Sequence, residues 1–421
     1  MTRTRQLLCG ALVLLLCALG VPYAAAEPAP EAAGRIVVKV DVRGGYSIAS
    51  VTSGLPVELL STVLASRGIY LLSSTHPDYD GDGDPTDAED REDDRKLAAD
   101  IAKRAGVLWA ELDQQITLTD ARFHGWPSGP SETLGLDPAV FYGQSAAIRL
   151  QLSLTHLRSQ GSGVLVAVLD TGADRGHPAL AGRTVSAWNY VSDTADTSDV
   201  ADGVDSDDDG VLDEAVGHGT FVSGLVALVA PRARIMPARV LDSDGIGNMF
   251  AVAEAIVDSV HAGARVINLS FGTPDQVQSK VLLDALKVAE DHKVVVVSAA
   301  GNSGSSAPHF PASAAKVCGV AALGSGSQLT TFSNRGTWVD VAAPGERLIG
   351  PLPGGGYASW SGTSMSSALV SGQAALVRSA DPGADADNTI ATIEATARWM
   401  PGGVVESGSI DILRSVVRAL F

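Results

Sequence analysis

The segment Trp360-Ser-Gly-Thr-Ser364-Met-Ser-Ser-Ala-Leu-Val-Ser-Gly372 combines a glycine turn with the start of an apolar helix rich in Ala, Ser and Gly. A serine at a helix N-terminus is ordinarily an N-cap, and Ser364 considered alone fits that role. Two distant segments indicate a different one. Asp170 ends the apolar run Val164–Leu169, and His218 lies in the sequence Gly-His-Gly-Thr at the start of another apolar segment. Together the three side chains supply a hydroxyl, an imidazole and a carboxylate.

These groups match the three roles of nucleophilic acyl transfer. A serine hydroxyl is a weak nucleophile at its ordinary pKa and needs an adjacent base. A histidine can take the proton near neutral pH, and a buried carboxylate fixes the tautomer and orientation of that histidine. The chain order Asp170, His218, Ser364 is one of the few orders in which this triad occurs. The sequence therefore predicts Ser364 as nucleophile, His218 as general base and Asp170 as the group that orients it.

From about Gln144 to the C-terminus, these motifs resemble the subtilisin-like serine proteases (subtilases, peptidase family S8). A fourth motif, Ala-Ala-Gly-Asn302-Ser-Gly, strengthens the resemblance, although an Asn in a Gly-rich turn is by itself typical of a simple turn residue. The resemblance implies that Asn302 and the Ser364 backbone N–H stabilise the oxyanion of the tetrahedral intermediate. One departure concerns Ser367-Ala368, which stand where the family usually has Ala-Pro; no catalytic group is lost by it.

The resemblance also implies two segments that flank an extended substrate by strand addition, Asp244–Gly247 and Asn268–Gly272. A pocket for the side chain before the scissile bond is implied between them. Because its expected lining residues Gly272, Ala299 and Gly301 are small and no charge is evident, we expect large apolar side chains there. The candidate substrate-binding residues are Gly245, Ile246, Gly247, Ser270, Phe271, Gly272, Ala299 and Gly301.

Apolar strand and helix patterns alternate through the C-terminal two thirds of the chain, and this alternation predicts a parallel sheet covered by helices on both faces. The expected fold class is α/β, a doubly wound mostly parallel sheet of the subtilisin type, preceded by a small α+β domain. Strands are predicted at Val164–Leu169, Arg234–Val240, Arg265–Leu269, Val294–Ala299 and Val317–Ala322. Helices are predicted at Gly219–Ala230, Asn248–His261, Lys280–His292, Ser364–Ala380 and Asp387–Ala397.

The first 26 residues have the pattern of a secretory signal peptide. Arg3 and Arg5 precede an apolar run from about Leu7 to Val21, and Ala24-Ala-Ala26 follows. The apolar run is shorter than the ~20 residues that a membrane span needs, so we expect cleavage after Ala26 and no stable membrane anchor. The alternative is an uncleaved anchor. The protein is therefore expected to be secreted or extracytoplasmic.

Residues 27–115 are predicted to form a separate α+β domain, followed by a connector (116–143) and the catalytic domain (144–421). Strands are expected at Arg35–Asp41, Gly68–Leu72 and Val107–Leu112, with helices at Pro56–Ser66 and Lys96–Ala105. The order resembles the subtilase propeptide, which implies an intramolecular inhibitor and folding aid. In that role, Asp113–Asp120 would lie along the substrate strands. An unrelated N-terminal domain is the alternative.

Two acidic segments predict calcium sites. Residues 76–96 and 191–214 each hold ten Asp or Glu, so 20 of the 48 acids lie in two short stretches. The first fits a twelve-residue calcium loop with carboxylates at alternate positions, Gly at position 6 and Glu at position 12. The second lacks the final Glu because Val216 stands there, and Asp213 or Glu214 is available in its place. A solvated acidic loop is the alternative. The candidate ligands are Asp78, Asp80, Asp82, Asp84 and Glu89, and then Asp205, Asp207, Asp209, Val211 and Asp213.

The net charge of −18 argues against a nucleic-acid partner. The combined interpretation is a secreted, calcium-stabilised serine endopeptidase that hydrolyses protein or peptide substrates through an acyl-enzyme, without an organic cofactor. A catalytically silent, secreted calcium-binding or adhesive protein on the same fold is the alternative from another class, and all four catalytic positions count against it. A serine esterase is disfavoured because the chain lacks a Gly-x-Ser-x-Gly elbow and the order Ser, Asp, His.

Overall fold

The computed structural model describes residues 31–75, 88–118, 132–135, 137–274, 277–400, 402 and 404–421. The predicted signal peptide and the predicted calcium ligands from Asp78 to Asp84 lie outside the described residues, as does the side chain of Glu89. The described residues form an N-terminal α+β unit and a larger α/β unit. One long strand takes part in both.

The N-terminal unit has its own apolar core between an antiparallel sheet of order β4-β1-β3-β2 and one helix, α2. The predicted helix at Pro56–Ser66 is wrong. This segment forms the edge strand β2 and a 3₁₀ turn, because pairing with β3 outweighs the helical spacing of its apolar residues. The elements are β1 (Glu31–Val40), α1 (Ile48–Thr52), β2 (Val57–Ser61), β3 (Ile69–Ser74), α2 (Ala88–Ala102) and β4 (Val107–Leu118).

The larger unit contains short N-terminal helices, a seven-stranded sheet and six peripheral strands. Its elements up to the middle of the sheet are β5 (Glu132–Gly135), α3 (Pro138–Tyr142), α4 (Ser145–Arg149), α5 (Leu152–Thr155), β6 (Leu165–Asp170), α6 (His218–Val229), β7 (Arg234–Arg239), β8 (Ile246–Asn248), α7 (Met249–His261), β9 (Val266–Leu269) and β10 (Phe271–Pro274). The others are α8 (Lys280–Asp291), β11 (Val295–Ala299), β12 (His309–Phe310), β13 (Val317–Leu323), β14 (Val341–Pro344), β15 (Leu348–Pro351), β16 (Tyr357–Trp360), α9 (Thr363–Ala380), α10 (Ala386–Thr396), β17 (Gly408–Ser409) and α11 (Ile412–Ala419).

The central sheet has the order β17-β14-β13-β11-β9-β6-β7, and every neighbouring pair in it is parallel. Alternate residues of β6 supply two cores. Val166 and Val168 pack with α6 and α9, whereas Ala167 and Leu169 pack with α7 and α8. The predicted doubly wound α/β sheet is therefore confirmed, and it places the ends of β6, β9 and β11 at one edge, where ligands bind in such folds. Within the described residues, no helix combines the length and apolar character that a membrane span requires.

Strand β4 continues past the predicted domain boundary at residue 115. Its first half pairs with β1 in the N-terminal unit. Its second half lies between β8 and β10 of the larger unit, antiparallel to both, with Ile116 opposite Gly247 and Thr117 opposite Gly272. A single twelve-residue strand therefore joins the N-terminal sheet to the edge of the larger unit.

Candidate active site

Asp170 and His218 form a buried pair at the edge of the sheet. Asp170 ends β6, and its Oδ1 accepts a hydrogen bond from the Thr171 backbone N–H (2.8 Å) and lies 2.7 Å from His218 Nδ1. His218 is the first residue of α6, and the preceding Gly217 adopts φ +92°, which favours glycine. Both side chains are fully buried. A carboxylate on Nδ1 leaves Nε2 as the nitrogen that can take a proton from a nucleophile.

Ser364 lies in the first turn of α9, four residues after Trp360. The Trp360 ring meets the His218 ring edge-on, with 5.2 Å between centroids. The Ser364 hydroxyl donates to the Ser270 carbonyl oxygen at 3.0 Å. Since Ser270 lies between β9 and β10, this hydrogen bond places the serine at the start of a predicted substrate strand.

Asn302 is held against the N-terminus of the same helix. Its Oδ1 accepts a hydrogen bond from the Thr363 backbone N–H at 2.9 Å, and the Gly301 N–H donates to Thr363 Oγ1 at 3.1 Å. Because Oδ1 is the acceptor here, the donor group of this side chain is Nδ2, the atom that a developing oxyanion requires. The four predicted catalytic positions therefore lie at one edge of the sheet, on elements distant in sequence.

Ser367, which stands at the alanine of the family's usual Ala-Pro, belongs to a chain of buried polar contacts. Its hydroxyl donates to the Ser364 carbonyl (2.8 Å) and lies 3.5 Å from Ser270 Oγ, which accepts from Asn268 Nδ2 (2.8 Å). Ser371 Oγ donates in turn to Asn268 Oδ1 at 2.8 Å. This network ties α9 to the loop that bears Ser270.

The predicted substrate strands are β8 and β10, and the second half of β4 lies between them. The Leu118 N–H donates to the Gly245 carbonyl at 2.9 Å. A Cβ built on Gly245 would lie 2.8 Å from the Leu118 side chain, so this glycine allows the close approach of the added strand. Ile116 and Leu118 are almost completely buried. The chain itself thus makes the strand addition that was predicted for a substrate.

Two carboxylates of β4 cap helices of the larger unit. Glu111 accepts hydrogen bonds from Ser279 Oγ (3.0 Å) and from the backbone N–H groups of Lys280 (3.0 Å) and Val281 (2.9 Å) at the start of α8. Asp113 accepts from the Phe250 N–H in α7 at 3.0 Å. Burial raises the pKa of Glu111, and it raises that of Asp113 to about 6 even though a nearby arginine opposes the shift. Sequence reasoning missed both caps, since each depends on contacts between distant segments.

An imidazole lies beside the small residues that are predicted to line the pocket. The half-buried ring of His309 lies against both glycines, so that a Cβ built on Gly272 would be 2.5 Å from Nε2 and one on Gly301 would be 3.1 Å from Cδ2. Ala299 is fully buried at the end of β11. Pairing of β12 with β10 brings the ring to this position, which the sequence did not indicate, and the preference for large apolar side chains stays a prediction.

The acidic loop before His218 brings together carboxylate oxygens of Asp205, Asp207 and Asp209 within 4.8 Å of one another. Asp213 does not join them. Its Oδ1 accepts from the backbone N–H groups of residues 202 and 203, which lowers its pKa, and Asp213 as a ligand stays a prediction. Val211 donates its backbone N–H to Asp209 Oδ1 and exposes its side chain.

Glu214 is a further buried carboxylate, close enough to Asp207 and Asp209 for their charges to act on it. It is only 8% exposed, and neither of its oxygens has a hydrogen-bond partner among the described residues. Burial raises its pKa to about 7, and the negative charges of Asp207, Asp209 and Asp244 add to the shift. A buried, unpartnered carboxylate facing other carboxylates fits a hard divalent cation, which takes six to eight oxygen ligands.

Asp244 connects this loop to the substrate strand. Its two oxygens accept the backbone N–H groups of Ser206 and Asp213, each at 2.6 Å. The next residue, Gly245, holds the inserted strand through its carbonyl. The shape of the acidic loop is therefore linked to the substrate-binding edge as well as to the helix that bears His218.

Asp199 is a further buried acid near the triad that sequence reasoning did not single out. Its carboxylate contacts Thr171 and Gly217, which adjoin the two residues of the Asp170–His218 pair, and Thr220, two residues after His218. The only sequence signal was its place in an acid-rich stretch, and composition does not distinguish a buried acid from a solvated one.

Comparison with known proteins agrees with this geometry. A sequence model of the subtilase family, peptidase S8, matches residues 161–411. The chain is 38% identical to thermitase from Thermoactinomyces vulgaris over 254 residues, which are 58% of this chain and 84% of thermitase. It is 39% identical over 228 residues to the thermophilic serine proteinase of Bacillus sp. (strain AK1), covering 52% of this chain and 53% of that protein.

Solved structures show the same fold. The crystal structure of fervidolysin from Fervidobacterium pennivorans, a keratinolytic enzyme related to subtilisin, superposes with a TM-score of 0.71 at 22% identity. The match covers 94% of this chain and 62% of fervidolysin, so it includes most of the N-terminal unit as well as the catalytic unit. At this identity the likeness concerns the fold alone. Through the match over residues 161–411 and the identity to thermitase, the chain belongs to the subtilase family of serine endopeptidases.

Proposed function

We propose that the chain is a secreted, calcium-stabilised endopeptidase in which Asp170, His218 and Ser364 form the catalytic triad and Asn302 supplies the oxyanion donor. The observation that carries this assignment is the buried 2.7 Å contact between Asp170 Oδ1 and His218 Nδ1. It lies beside a helix N-terminus that presents Ser364 and is held to Asn302.

In acylation, His218 Nε2 removes the hydroxyl proton as Ser364 Oγ attacks the carbonyl carbon of the scissile bond. Asp170 keeps Nδ1 protonated and stabilises the imidazolium that results. The imidazolium then gives its proton to the leaving amine as the C–N bond breaks. An ester between substrate and Ser364 remains, and the amine product departs.

Deacylation repeats these steps with water as the nucleophile. In both tetrahedral intermediates the former carbonyl oxygen is negatively charged, and preorganised donors that point toward that charge lower the barrier most. We assign this role to Asn302 Nδ2 and the Ser364 backbone N–H, because Asn302 is already fixed through its Oδ1. Collapse of the second intermediate releases the acid product and restores the Ser364 hydroxyl.

The proposal is tested with the processed protein and a labelled casein substrate. We expect hydrolysis, covalent labelling of Ser364 by a fluorophosphonate, and loss of both in Ser364→Ala without a change in thermal midpoint. Loss of activity on the order of 10⁶ is what removal of the nucleophile produces in a protease of this type. Absence of both hydrolysis and labelling in the native protein would support the silent calcium-binding alternative.

We further propose that the N-terminal unit is an inhibitor of the same chain. Support comes from the second half of β4, which fills the gap between β8 and β10 in the antiparallel direction. A substrate needs this same gap for strand addition. The two carboxylate caps at Glu111 and Asp113 add contacts outside the substrate path. The domain division is then 27–118 for the inhibitor rather than 27–115.

The proposed calcium site uses Asp205, Asp207, Asp209 and Glu214, with backbone oxygens of the loop. When bound, the cation neutralises the mutual repulsion of these carboxylates and fixes the loop. Because Asp244 joins the loop to the substrate strand, we expect chelation to lower activity as well as stability. The second predicted site, Asp78 to Glu89, is proposed from its sequence pattern.

Export rests on the signal-peptide pattern of residues 1–26, and the proposed cleavage follows Ala26. N-terminal sequencing of the Ser364→Ala protein recovered outside a producing cell tests this directly. We expect Glu27 as its first residue, and retention of the protein in the membrane with Met1 intact would contradict cleavage.

A further inference from the structure

We propose that Asp199 is a positioning residue for catalysis: it locks the loop after Asp170 to the first turn of the helix that bears His218, and its charge stabilises the His218 imidazolium. The inference rests on the triad assigned above. It adds a second buried acid to the site, one that acts on the general base without touching its ring.

Asp199 joins both arms of the Asp170–His218 pair through four hydrogen bonds. Its Oδ1 accepts from Thr171 Oγ1 (3.0 Å) and the Gly217 N–H (2.9 Å). Its Oδ2 accepts from the Thr220 N–H (3.0 Å) and Thr220 Oγ1 (2.6 Å). Thr171 Oγ1 also accepts from the Gly219 N–H at 2.9 Å, which closes the network. One carboxylate thus holds the residue after the orienting acid, the residue before the general base and the residue two positions after that base.

Helix α6 requires this support because it has no cap of its own. Its N-cap residue is Gly217, which offers no side chain for the unpaired N–H groups of the first turn. Asp199 supplies the missing acceptor from a distant loop and sets its negative charge at the positive end of the helix dipole. With the helix start fixed, the ring of His218 keeps its orientation toward Asp170.

The loop that presents Asp199 is itself held. The buried Arg239 guanidinium donates to the Ser198 carbonyl at 2.6 Å, and the Ala173 N–H donates to the Thr197 carbonyl at 2.9 Å. Asp199 is only 2% exposed. Because it is held on both sides, Asp199 can fix the positions of the groups that it contacts, as supporting residues around catalytic groups do.

The hydrogen bonds indicate which protonation state of Asp199 fits the site. Each oxygen receives a backbone N–H, one from Gly217 and one from Thr220, and a backbone N–H cannot become an acceptor. An asparagine would therefore direct its NH₂ group at one of these N–H groups in either flip. Burial raises the pKa of Asp199, and its hydrogen bonds to Thr220 and Gly217 oppose that shift. The donors fit a carboxylate that accepts on both oxygens.

The charge of Asp199 acts on the same pair. Asp170 on β6 and Asp199 on its loop both accept hydrogen bonds at the start of α6, Asp174 contacts Thr220 there through its backbone N–H, and Trp360 meets the imidazole edge-on. The two acids interact with each other, since the charge of Asp170 raises the pKa of Asp199. Two negative charges beside one imidazole favour its protonated form.

The test compares Asp199→Asn, Thr220→Val and the control Asp196→Asn in the processed enzyme, with pH profiles of kcat/KM. Asp196 is an exposed acid of the same loop whose carboxylate accepts hydrogen bonds from Ser198, so its replacement should leave activity unchanged. For Asp199→Asn we expect kcat to fall by about 10- to 100-fold with KM within about twofold, because small displacements of catalytic groups cost rate rather than binding. The acidic limb of the pH profile of kcat/KM for this variant should shift to lower pH by about 0.5–1 unit, since a lost negative charge lowers the pKa of His218.

Thr220→Val removes the hydrogen bond that the hydroxyl donates to Asp199 and the one that it accepts from the Asp174 backbone N–H, and it keeps the charge of Asp199. It should lower kcat less and leave the acidic limb in place, and it provides a folded reference if Asp199→Asn is unstable. A kcat for Asp199→Asn within twofold of the native value would overturn the positioning role. Loss of rate with an unmoved acidic limb would overturn the electrostatic role. Inactivity of the native enzyme or of Asp196→Asn would instead count against the proposed triad or the integrity of the loop.

Discussion

Replacement of Glu111 by alanine should release the N-terminal unit from the catalytic unit without altering catalysis itself. Glu111 is the only described side chain of β4 that caps α8, where it accepts three hydrogen bonds at 2.9–3.0 Å. Two of the donors are backbone N–H groups that a helix start leaves without intrahelical partners. In the separated catalytic unit these donors return to water.

The expected size of the effect follows from these contacts. A carboxylate at a partly buried helix N-terminus contributes up to ~2 kcal/mol through the dipole, and hydrogen bonds to charged groups contribute ~1.5–3 kcal/mol each before desolvation. Burial of the charge opposes both, as the raised pKa of Glu111 shows. We therefore expect a net loss of about 2–3 kcal/mol, which corresponds to about 30- to 150-fold weaker binding.

The assay adds residues 27–118 as a separate domain to the active catalytic unit and measures the inhibition constant. The domain has its own core between the sheet and α2, which supports its use in isolation. Glu58→Ala is the matched control, because Glu58 is an exposed acid on the edge strand β2, at the opposite side of the sheet from the catalytic unit. An inhibition constant for Glu111→Ala within threefold of the native domain would refute the reasoning, and equal weakening by Glu58→Ala would assign the effect to general charge.

Four further outcomes are expected. Asn302→Ala should lower kcat by about 10²–10³ with little change in KM, and a loss below tenfold in steady-state assays would remove its oxyanion role. Calcium at a hundredfold excess over its Kd should stabilise the folded chain by about 2.7 kcal/mol and so raise its thermal midpoint. Glu214→Gln should abolish most of that rise, whereas the control Asp208→Asn should keep it. His309→Gly should raise kcat/KM for Phe relative to Ala before the cut by at least tenfold in a peptide library, and an unchanged profile would place the ring outside the pocket. Burial raises the pKa of the Asp340 carboxyl from 3.8 to about 7 in the folded chain. The stability that the protonated carboxyl contributes is therefore fully present below the pKa of the unfolded chain and is lost as pH rises through about 7. Asp340→Asn should therefore melt higher than the native chain at pH 8 but not near pH 4, and an equal difference at both pH values in calorimetry would contradict this.

The sequence alone predicted the fold class and the catalytic chemistry because both depend on local patterns. Alternating apolar runs specify strands and helices, and their order specifies a parallel sheet with two covered faces. The proposed triad and Asn302 lie in short motifs whose residue types the reaction requires, so Asp170, His218 and Ser364 could be proposed before any contact was known. The strand end at Asp170 also predicted the sheet edge where the site lies.

The tertiary structure decided what depends on contacts between distant segments. Glu214 is buried without a hydrogen-bond partner among the described residues and is acted on by the acidic cluster, whereas backbone N–H groups of the loop hold Asp213 Oδ1. His309 fills the space beside Gly272, since the pairing of two short strands sets the pocket wall. In the sequence, Asp199 is one of the ten acids of residues 191–214. Only the folded chain buries it at the start of a helix that has no cap of its own. Residue type and spacing determine which chemistry is available, whereas burial and the partners of each charge are set by packing across the whole chain.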